Sequence, residues 1–106
     1  MTEIKIIEVN DEINDRIVLS FCNFDYYDGI DLIAKTISKK FDDSIVQRLD
    51  NVSGRLLVMQ SEKYQYVLSY DETYGNDVYS LNKSFHNDLK GKLRIVIDEL
   101  NTKFNL

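Results

Sequence analysis

Residues 55–70 read RLLVMQSEKYQYVLSY, and this stretch decides the fold class. Two runs rich in apolar and aromatic residues, 55–60 and 64–70, flank the short polar segment Ser61-Glu62-Lys63. Such runs are typical of β-strands, and a connection of this length is typical of a β-hairpin, whose strands are antiparallel. We therefore predict a hairpin with its loop at residues 61–63.

Four further segments, on both sides of this hairpin, have the composition of strands. The segment 16–22 carries apolar residues on both faces, which is typical of a strand that is central in a sheet or covered on both sides. Turn-forming residues separate the candidate strands, including the Gly75-Asn76 pair within a turn predicted at residues 71–77. The four candidate strands are residues 4–9, 16–22, 44–49 and, as a short last strand, 78–81.

The first predicted helix follows the second strand. Its apolar residues recur at the spacing of one helical face, i, i+3, i+4, i+7 and i+11. Asp25 or Asp28 is expected to cap the helix N-terminus, where the charge of Asp31 also suits the helix dipole. The residues of the apolar stripe are Ile30, Ile33, Ala34, Ile37 and Phe41.

The second predicted helix ends the chain and keeps the helical period over about five turns. Asn82 or Ser84 is its expected cap. Gly91 lies inside the helix, and we expect it to permit close packing against the sheet. The apolar residues of this helix are Phe85, Leu89, Leu93, Val96, Ile97, Leu100 and Phe104.

The resulting element order is β-β-α-β-β-β-(β)-α, and most strand connections have the length of hairpins. This order predicts an α+β fold with a mainly antiparallel sheet of about five or six strands and two amphipathic helices packed on one face. The chain has no proline, only four glycines and no visible linker. We therefore expect residues 1–106 to form a single domain.

Composition limits the environment of the protein. Of the 106 residues, 43% are hydrophobic and 29% are charged, which favours a folded globular chain over a disordered one. No apolar run approaches the roughly 20 residues of a membrane span, and the N-terminus lacks the pattern of a secretory signal. The single cysteine, Cys22, excludes an internal disulfide and is expected to be a small buried hydrophobe. We predict a cytoplasmic protein without membrane contact.

The chain is acidic, with a net charge of −5, and its acids are unevenly placed. Residues 1–31 hold eight acids against two bases, and residues 70–81 hold three acids and no base. An excess of negative charge disfavours nucleic acid as a partner, because the phosphates would be repelled. The same excess suits a basic protein partner.

Motifs that carry chemistry are missing from the sequence. It contains no Gly-rich phosphate loop, GxSxG, CxxC or HExxH pattern, so we predict no enzyme, no cofactor and no metal site.

Two features of the sequence each allow a structural and a functional interpretation. His86 fits an edge histidine near a helix start, or a general base if a carboxylate lies nearby. Asp25, Asp28 and Asp31 fit helix capping, or a cation loop that would lack the terminal glutamate of known calcium loops.

Two segments, 23–31 and 70–79, mix tyrosine with acid and are the candidate binding site. Tyrosine gives a large contact area at a small entropic cost, and nearby carboxylates steer a basic partner towards it. The alternative is that these tyrosines are half-buried strand residues and that the acids solvate turns. The predicted partner-binding residues are Asp25, Tyr26, Tyr27, Asp28, Asp31, Tyr70, Asp71, Glu72, Tyr74 and Asp77.

A small acidic domain whose segments 24–31 and 70–79 are acidic and tyrosine-bearing resembles the immunity proteins of bacterial toxin–immunity systems, including the contact-dependent growth inhibition type. The resemblance lies in size, charge and these two segments, and no diagnostic motif carries individual residues across. It implies a protein-binding inhibitor that covers the active site of a cognate basic toxin, such as a nuclease, in the bacterial cytosol.

Other function classes remain open from the sequence. One is a different interaction module, such as a phage anti-defence protein or a subunit of a larger complex. Another is a small enzyme that uses His86, with Cys22 and nearby acids. The chain is expected to be a monomer or a homodimer, the latter formed by pairing of exposed strand edges.

Overall fold

A computed structural model describes residues 3–24 and 28–104, which form one antiparallel six-stranded sheet and two helices. The strand order across the sheet is β1-β2-β6-β5-β4-β3, so the predicted α+β class is confirmed. A short 3₁₀ turn, Lys83–Phe85, precedes the last helix. The elements are β1 Lys5–Asp11, β2 Arg16–Cys22, α1 Gly29–Phe41, β3 Ser44–Asp50, β4 Gly54–Gln60, β5 Gln65–Asp71, β6 Gly75–Ser80 and α2 His86–Phe104.

The hairpin at residues 54–71 pairs two interior strands, with Gly54 opposite Asp71 and Gln60 opposite Gln65. Its loop is closed by Ser61, whose hydroxyl accepts the amide N–H of Tyr64 at 3.0 Å and donates to the Tyr64 carbonyl at 2.9 Å. The polar loop residue thus supplies the hydrogen bonds that the strand ladder lacks at this point. The predicted hairpin is confirmed.

The last strand, β6, begins at Gly75, three residues before the predicted start at Val78. The turn is shorter than predicted because Asp71 Oδ1 accepts the amide N–H groups of Thr73 and Tyr74, at 2.7 and 3.2 Å. Gly75 has a φ of 81°, which glycine adopts without strain and which lets the chain reverse within three residues. The shorter turn adds residues 75–77 to the sheet.

Both helices pack on the same face of the sheet, as predicted. The central apolar residues of both helices are buried there, namely Ile30, Ile33, Ala34 and Ile37 of α1 and Leu89, Leu93, Val96, Ile97 and Leu100 of α2. Gly91 is exposed, and among the described residues no atom outside the backbone of α2 lies within 4 Å of an added Cβ. The expected close packing at Gly91 is therefore wrong, because this residue lies on the solvent side of α2. The sheet residues beneath the helices include Leu19, Phe21, Leu57, Met59, Tyr66, Leu68 and Val78.

The opposite face of the sheet, called the open face below, is not covered by any element within residues 3–24 and 28–104. Strand β2 is interior, between β1 and β6, as its two apolar faces suggested, but its second face stays open. The reason lies in the connections, since α1 and α2 return to the same side. Cys22 belongs to the open face and is half-buried rather than buried.

Candidate partner-binding site

The two segments that mix tyrosine with acid meet at one end of the sheet, called the lower rim below. It consists of the β3–β4 turn at residues 51–53, the β5–β6 turn at residues 72–74 and the start of α1 at residues 28–31. The amide of Glu72 donates to the carbonyl of Ser53 at 3.0 Å and joins the two turns. The side-chain amide of Asn76 donates to the carbonyl of Phe24 at 2.6 Å and joins β6 to the chain before α1. Sequence reasoning left open whether the segments adjoin, and the structure brings them together.

Asn76 is the contact through which the rim is assembled. It is fully buried, and its Oδ1 accepts no hydrogen bond from the described residues. Gly29 leaves room for it, since a Cβ at Gly29 would lie 2.5 Å from Asn76 Nδ2. Glycine is therefore required at position 29, because the start of α1 approaches β6 closely there.

Two arginines hold the acids at the start of α1. Arg55, on β4, contacts both Asp31 and Asp50, the latter at 2.8 Å, and Arg48, on β3, lies 2.8 Å from Asp31 and 3.2 Å from Asp50. Burial opposes the ionisation of Asp50, but hydrogen bonds from both arginines outweigh it and lower the pKa of this carboxyl. The charges of Asp31 and Asp50 are thus compensated within the fold.

Sequence reasoning missed these arginines because they follow Asp31 by 17 and 24 positions, on two separate strands. The sequence offered little to identify the pairing, because neither arginine has an acid three or four positions away. Arg48 lies just before a turn and Arg55 just before an apolar stretch. Only the register of β3 with β4 places them together.

Three side chains of the rim are directed to solvent. Asp28 is 84% exposed and its nearest cation is Arg55 at 3.6 Å, while Tyr74 is 76% exposed at the tip of its turn. Glu72 is exposed beside Tyr74. Asp28 occupies the N-cap position of α1 without a side-chain hydrogen bond to the helix, so the capping function predicted for it is not observed. The described part of the rim, taken together with the strand residues Arg48, Asp50, Arg55 and Asp71 that border it, has a net charge of −3. The five acids are Asp28, Asp31, Asp50, Asp71 and Glu72, and the two bases are Arg48 and Arg55.

Two predicted site residues lie away from the exposed rim. Tyr70 is half-buried and packs against the core on the helix side, which is the placement that the alternative reading expected. Asp77 lies on the open face, in the middle of the sheet. Asp71 stays at the rim, with one carboxylate oxygen bonded to turn amides. Asp25, Tyr26 and Tyr27 lie outside the described residues.

His86 is buried on the helix side, with Nε2 at 3.2 Å from Glu8 Oε1 on β1. Lys90 Nζ contacts the same oxygen at 2.5 Å. The hydrogen bond from Lys90, followed by that from His86, lowers the pKa of Glu8. Cys22 lies on the opposite face of the sheet, so His86 and Cys22 do not form a catalytic pair. The cluster instead attaches α2 to the edge strand β1.

A cleft of about 740 Å³ at the other end of the sheet contains residues that sequence reasoning did not select. Asp43 accepts hydrogen bonds from Tyr66 Oη at 2.6 Å and Lys92 Nζ at 2.8 Å. Tyr64 Oη donates to Asp88 at 2.5 Å. Burial, followed by the hydrogen bond to Asp43, raises the pKa of Tyr66. These bonds join polar groups of the cleft to one another, which is typical of a structural network rather than of a site awaiting a ligand.

Comparisons with known proteins give no relative from which a site could be inferred. No protein family, no curated protein and no solved structure matches this chain. Within residues 3–24 and 28–104, no group of three or more His, Cys, Asp or Glu side chains is placed to hold a metal ion. In the same part of the chain, neither helix is long and apolar enough to cross a membrane.

Asp77 provides a test of the electrostatics of the open face. Burial, followed by the charge of Asp71, raises the pKa of Asp77 against the opposing effects of a Ser20 hydrogen bond and Arg16. A raised pKa in the folded state means that the ionised carboxylate destabilises the fold at neutral pH, and that this penalty vanishes below the unfolded value near 3.8. We expect Asp77→Asn to increase the free energy of unfolding at about pH 7 by up to about 1 kcal/mol, after allowance for solvent screening.

Chemical denaturation of both proteins at neutral and at acidic pH measures this effect. The stability gain of the variant should shrink as the pH falls towards 3.8. A variant less stable than the wild type at neutral pH would show that the Ser20 hydrogen bond dominates instead.

Proposed function

We propose that this protein is a protein-binding inhibitor whose lower rim docks on a basic partner, and that the partner is a cognate bacterial toxin. The observation that carries the proposal is the joining of the two acidic, tyrosine-bearing segments at one end of the sheet through Asn76 and Phe24. Tyr74, Asp28 and Glu72 are exposed there.

The rim has the physical properties of a docking surface for a cation-rich protein. Its net negative charge steers a basic surface into contact, and the exposed ring of Tyr74 supplies an anchor that loses little entropy on binding. Arg48 and Arg55 neutralise the charges of Asp31 and Asp50. A basic partner therefore needs to neutralise only the exposed acids of the rim, such as Asp28 and Glu72. An interface centred on the rim would bury about 1,200–2,000 Å² in total.

The acids of the rim would inhibit a partner enzyme whose substrate is a polyanion, because they would compete with that substrate for the enzyme's basic active site. The active site of a nuclease is basic because it binds phosphates, and Asp28 and Glu72 would occupy the positions of substrate phosphates. The inhibitor itself then needs no catalytic residue. In this proposal the protein acts in the cytosol, where the toxin would otherwise reach its substrate.

The test compares charge-reversed baits in affinity capture. We expect that Asp28→Lys with Glu72→Lys loses a basic protein that the wild type recovers from lysate of the source cell, and that each single change weakens its binding about tenfold. The matched control is Glu62→Lys, an exposed acid in the β4–β5 loop at the opposite end of the sheet. All variants change only exposed side chains, and Asp28→Lys also places a cation at the N-cap of α1 near Arg55, so the free energies of unfolding should stay within about 1 kcal/mol of the wild type.

The identity of the captured protein then tests inhibition directly. The partner should be toxic or enzymatically active alone and inactive with one equivalent of wild-type protein, and its gene should lie beside the gene of the inhibitor. Retention of the same partner by the doubly charge-reversed bait would remove the lower rim as the binding surface.

A further inference from the structure

The open face carries an apolar row over five of the six strands, and it ends at β4 because Gln47 of β3 lies opposite Val58. Val9 pairs with Val18, and Tyr79 with Val67, which in turn pairs with Val58. Val67 is buried although it does not belong to the core beneath the helices, so its neighbours on the open face already enclose it. Exposed Ile7 on β1 and Leu49 on β3 extend the apolar surface to both margins. Val9 is exposed and Val18, Tyr79 and Val58 are half-buried, so the uncovered face leaves apolar surface in contact with solvent, as at an interaction surface.

The dimensions of this face approach those of a stable interface. Six strands about 4.8 Å apart, with about seven residues each at about 3.3 Å, span roughly 25 by 22 Å. Side-chain relief makes the accessible area larger than this projection of roughly 550 Å², which brings it near the 800 Å² that each partner contributes to a standard interface.

The charges of the face select the kind of partner. Its described charged groups are Lys5, Asp11, Arg16, Asp71 and Asp77, of which Asp11 and Arg16 form an ion pair at 3.0 Å. Arg16 also lies over the Tyr79 ring, 3.9 Å from its centroid. The face is thus close to neutral, although the whole chain has a net charge of −5. A basic partner gains little from such a surface, whereas a second copy presents the same apolar row and both signs of charge.

We infer that the open face is a homodimer interface, in which two sheets pack face to face about a two-fold axis. Sheets packed in this way lie about 10 Å apart with interdigitating side chains. The interface is isologous, so each substitution is present twice in a dimer. Asp71 is shared with the lower rim, but the exposed rim side chains Asp28, Glu72 and Tyr74 lie outside the strands of this face, so this inference does not depend on the proposed function.

Sedimentation of purified protein over about 1–200 µM tests the inference. We expect a dimer whose dissociation constant rises at least about tenfold in Val9→Lys and in Leu49→Lys, because each variant places two charges in an apolar interface. The matched controls are Ile13→Lys and Val52→Lys, which change fully exposed valine or isoleucine side chains in the β1–β2 and β3–β4 turns. Circular dichroism and thermal unfolding confirm that each variant is folded.

Cys22 offers a second measurement without any substitution. It is the only cysteine of the chain and lies on the open face, so its alkylation should slow as the protein concentration rises through the dissociation constant. In Val9→Lys the same slowing should require a protein concentration at least about tenfold higher. A wild type that stays monomeric to 200 µM would overturn the inference, and so would a dimer that Val9→Lys and Leu49→Lys leave intact, since its contact would then be a strand edge.

Discussion

Asp43→Ala is expected to be the most destabilising of the substitutions considered, with a loss of about 3–5 kcal/mol in the free energy of unfolding. The Asp43 side chain is only 4% exposed, and it accepts hydrogen bonds from Lys92, which is 14% exposed, and from Tyr66. Removal of the carboxylate leaves a buried ammonium and a buried hydroxyl without their acceptor. For a chain of this length, the loss corresponds to a fall in Tm of more than about 12 °C.

Equilibrium unfolding in urea, followed by circular dichroism, measures this loss. The matched control is Glu99→Ala, which removes the partner of Lys40 from a half-exposed ion pair at 3.6 Å and should change stability by less than about 0.5 kcal/mol. The double variant Asp43→Ala with Lys92→Met should lose less than the sum of the two single variants, because it leaves no unpaired charge. A loss below about 1 kcal/mol in Asp43→Ala would mean that water reaches Lys92 and replaces the carboxylate.

Two chemically identical substitutions, Gly29→Ala and Gly91→Ala, are expected to act in opposite directions. The added Cβ at Gly29 meets the buried side chain of Asn76, and displacing it breaks the hydrogen bond to Phe24. We expect a loss of about 2–3 kcal/mol from this overpacking and the unpaired buried groups. At Gly91 the Cβ meets no atom within 4 Å, so the higher helix propensity of alanine should raise stability by about 1 kcal/mol.

The two glycine variants are compared by their unfolding midpoints in the same denaturant series. Gly29→Ala should also weaken the binding proposed for the lower rim, because the link between its two segments is lost, whereas Gly91→Ala should leave that binding unchanged. Equal stabilities for the two variants would contradict the close approach of α1 to Asn76.

The local pattern of the sequence determined the secondary structure and the fold class. Alternating and 3.6-residue periods mark which face of a strand or helix is apolar, and this information lies within ten or so neighbouring residues. The hairpin at residues 54–71 and both helices were predictable for that reason. The early start of β6 was not, because it depends on how Asp71 bonds to its own turn and on the φ of Gly75.

Only the tertiary structure decided which distant residues meet. The pairing of β2 with β6 joins segments more than fifty residues apart, and it brings Asn76 to Phe24 and the two tyrosine-bearing segments to one rim. The register of β3 with β4 sets Arg48 and Arg55 beside Asp31. The register of β6 with β2 and β5 places Asp77 on the open face. Strand order and side-chain partners are set by the packing of the whole chain, since each strand could satisfy its own hydrogen bonds against several others. The composition and local period of this sequence thus determined its elements and its charge, while the pairing of the strands decided which acids remain exposed and which are bound by arginines.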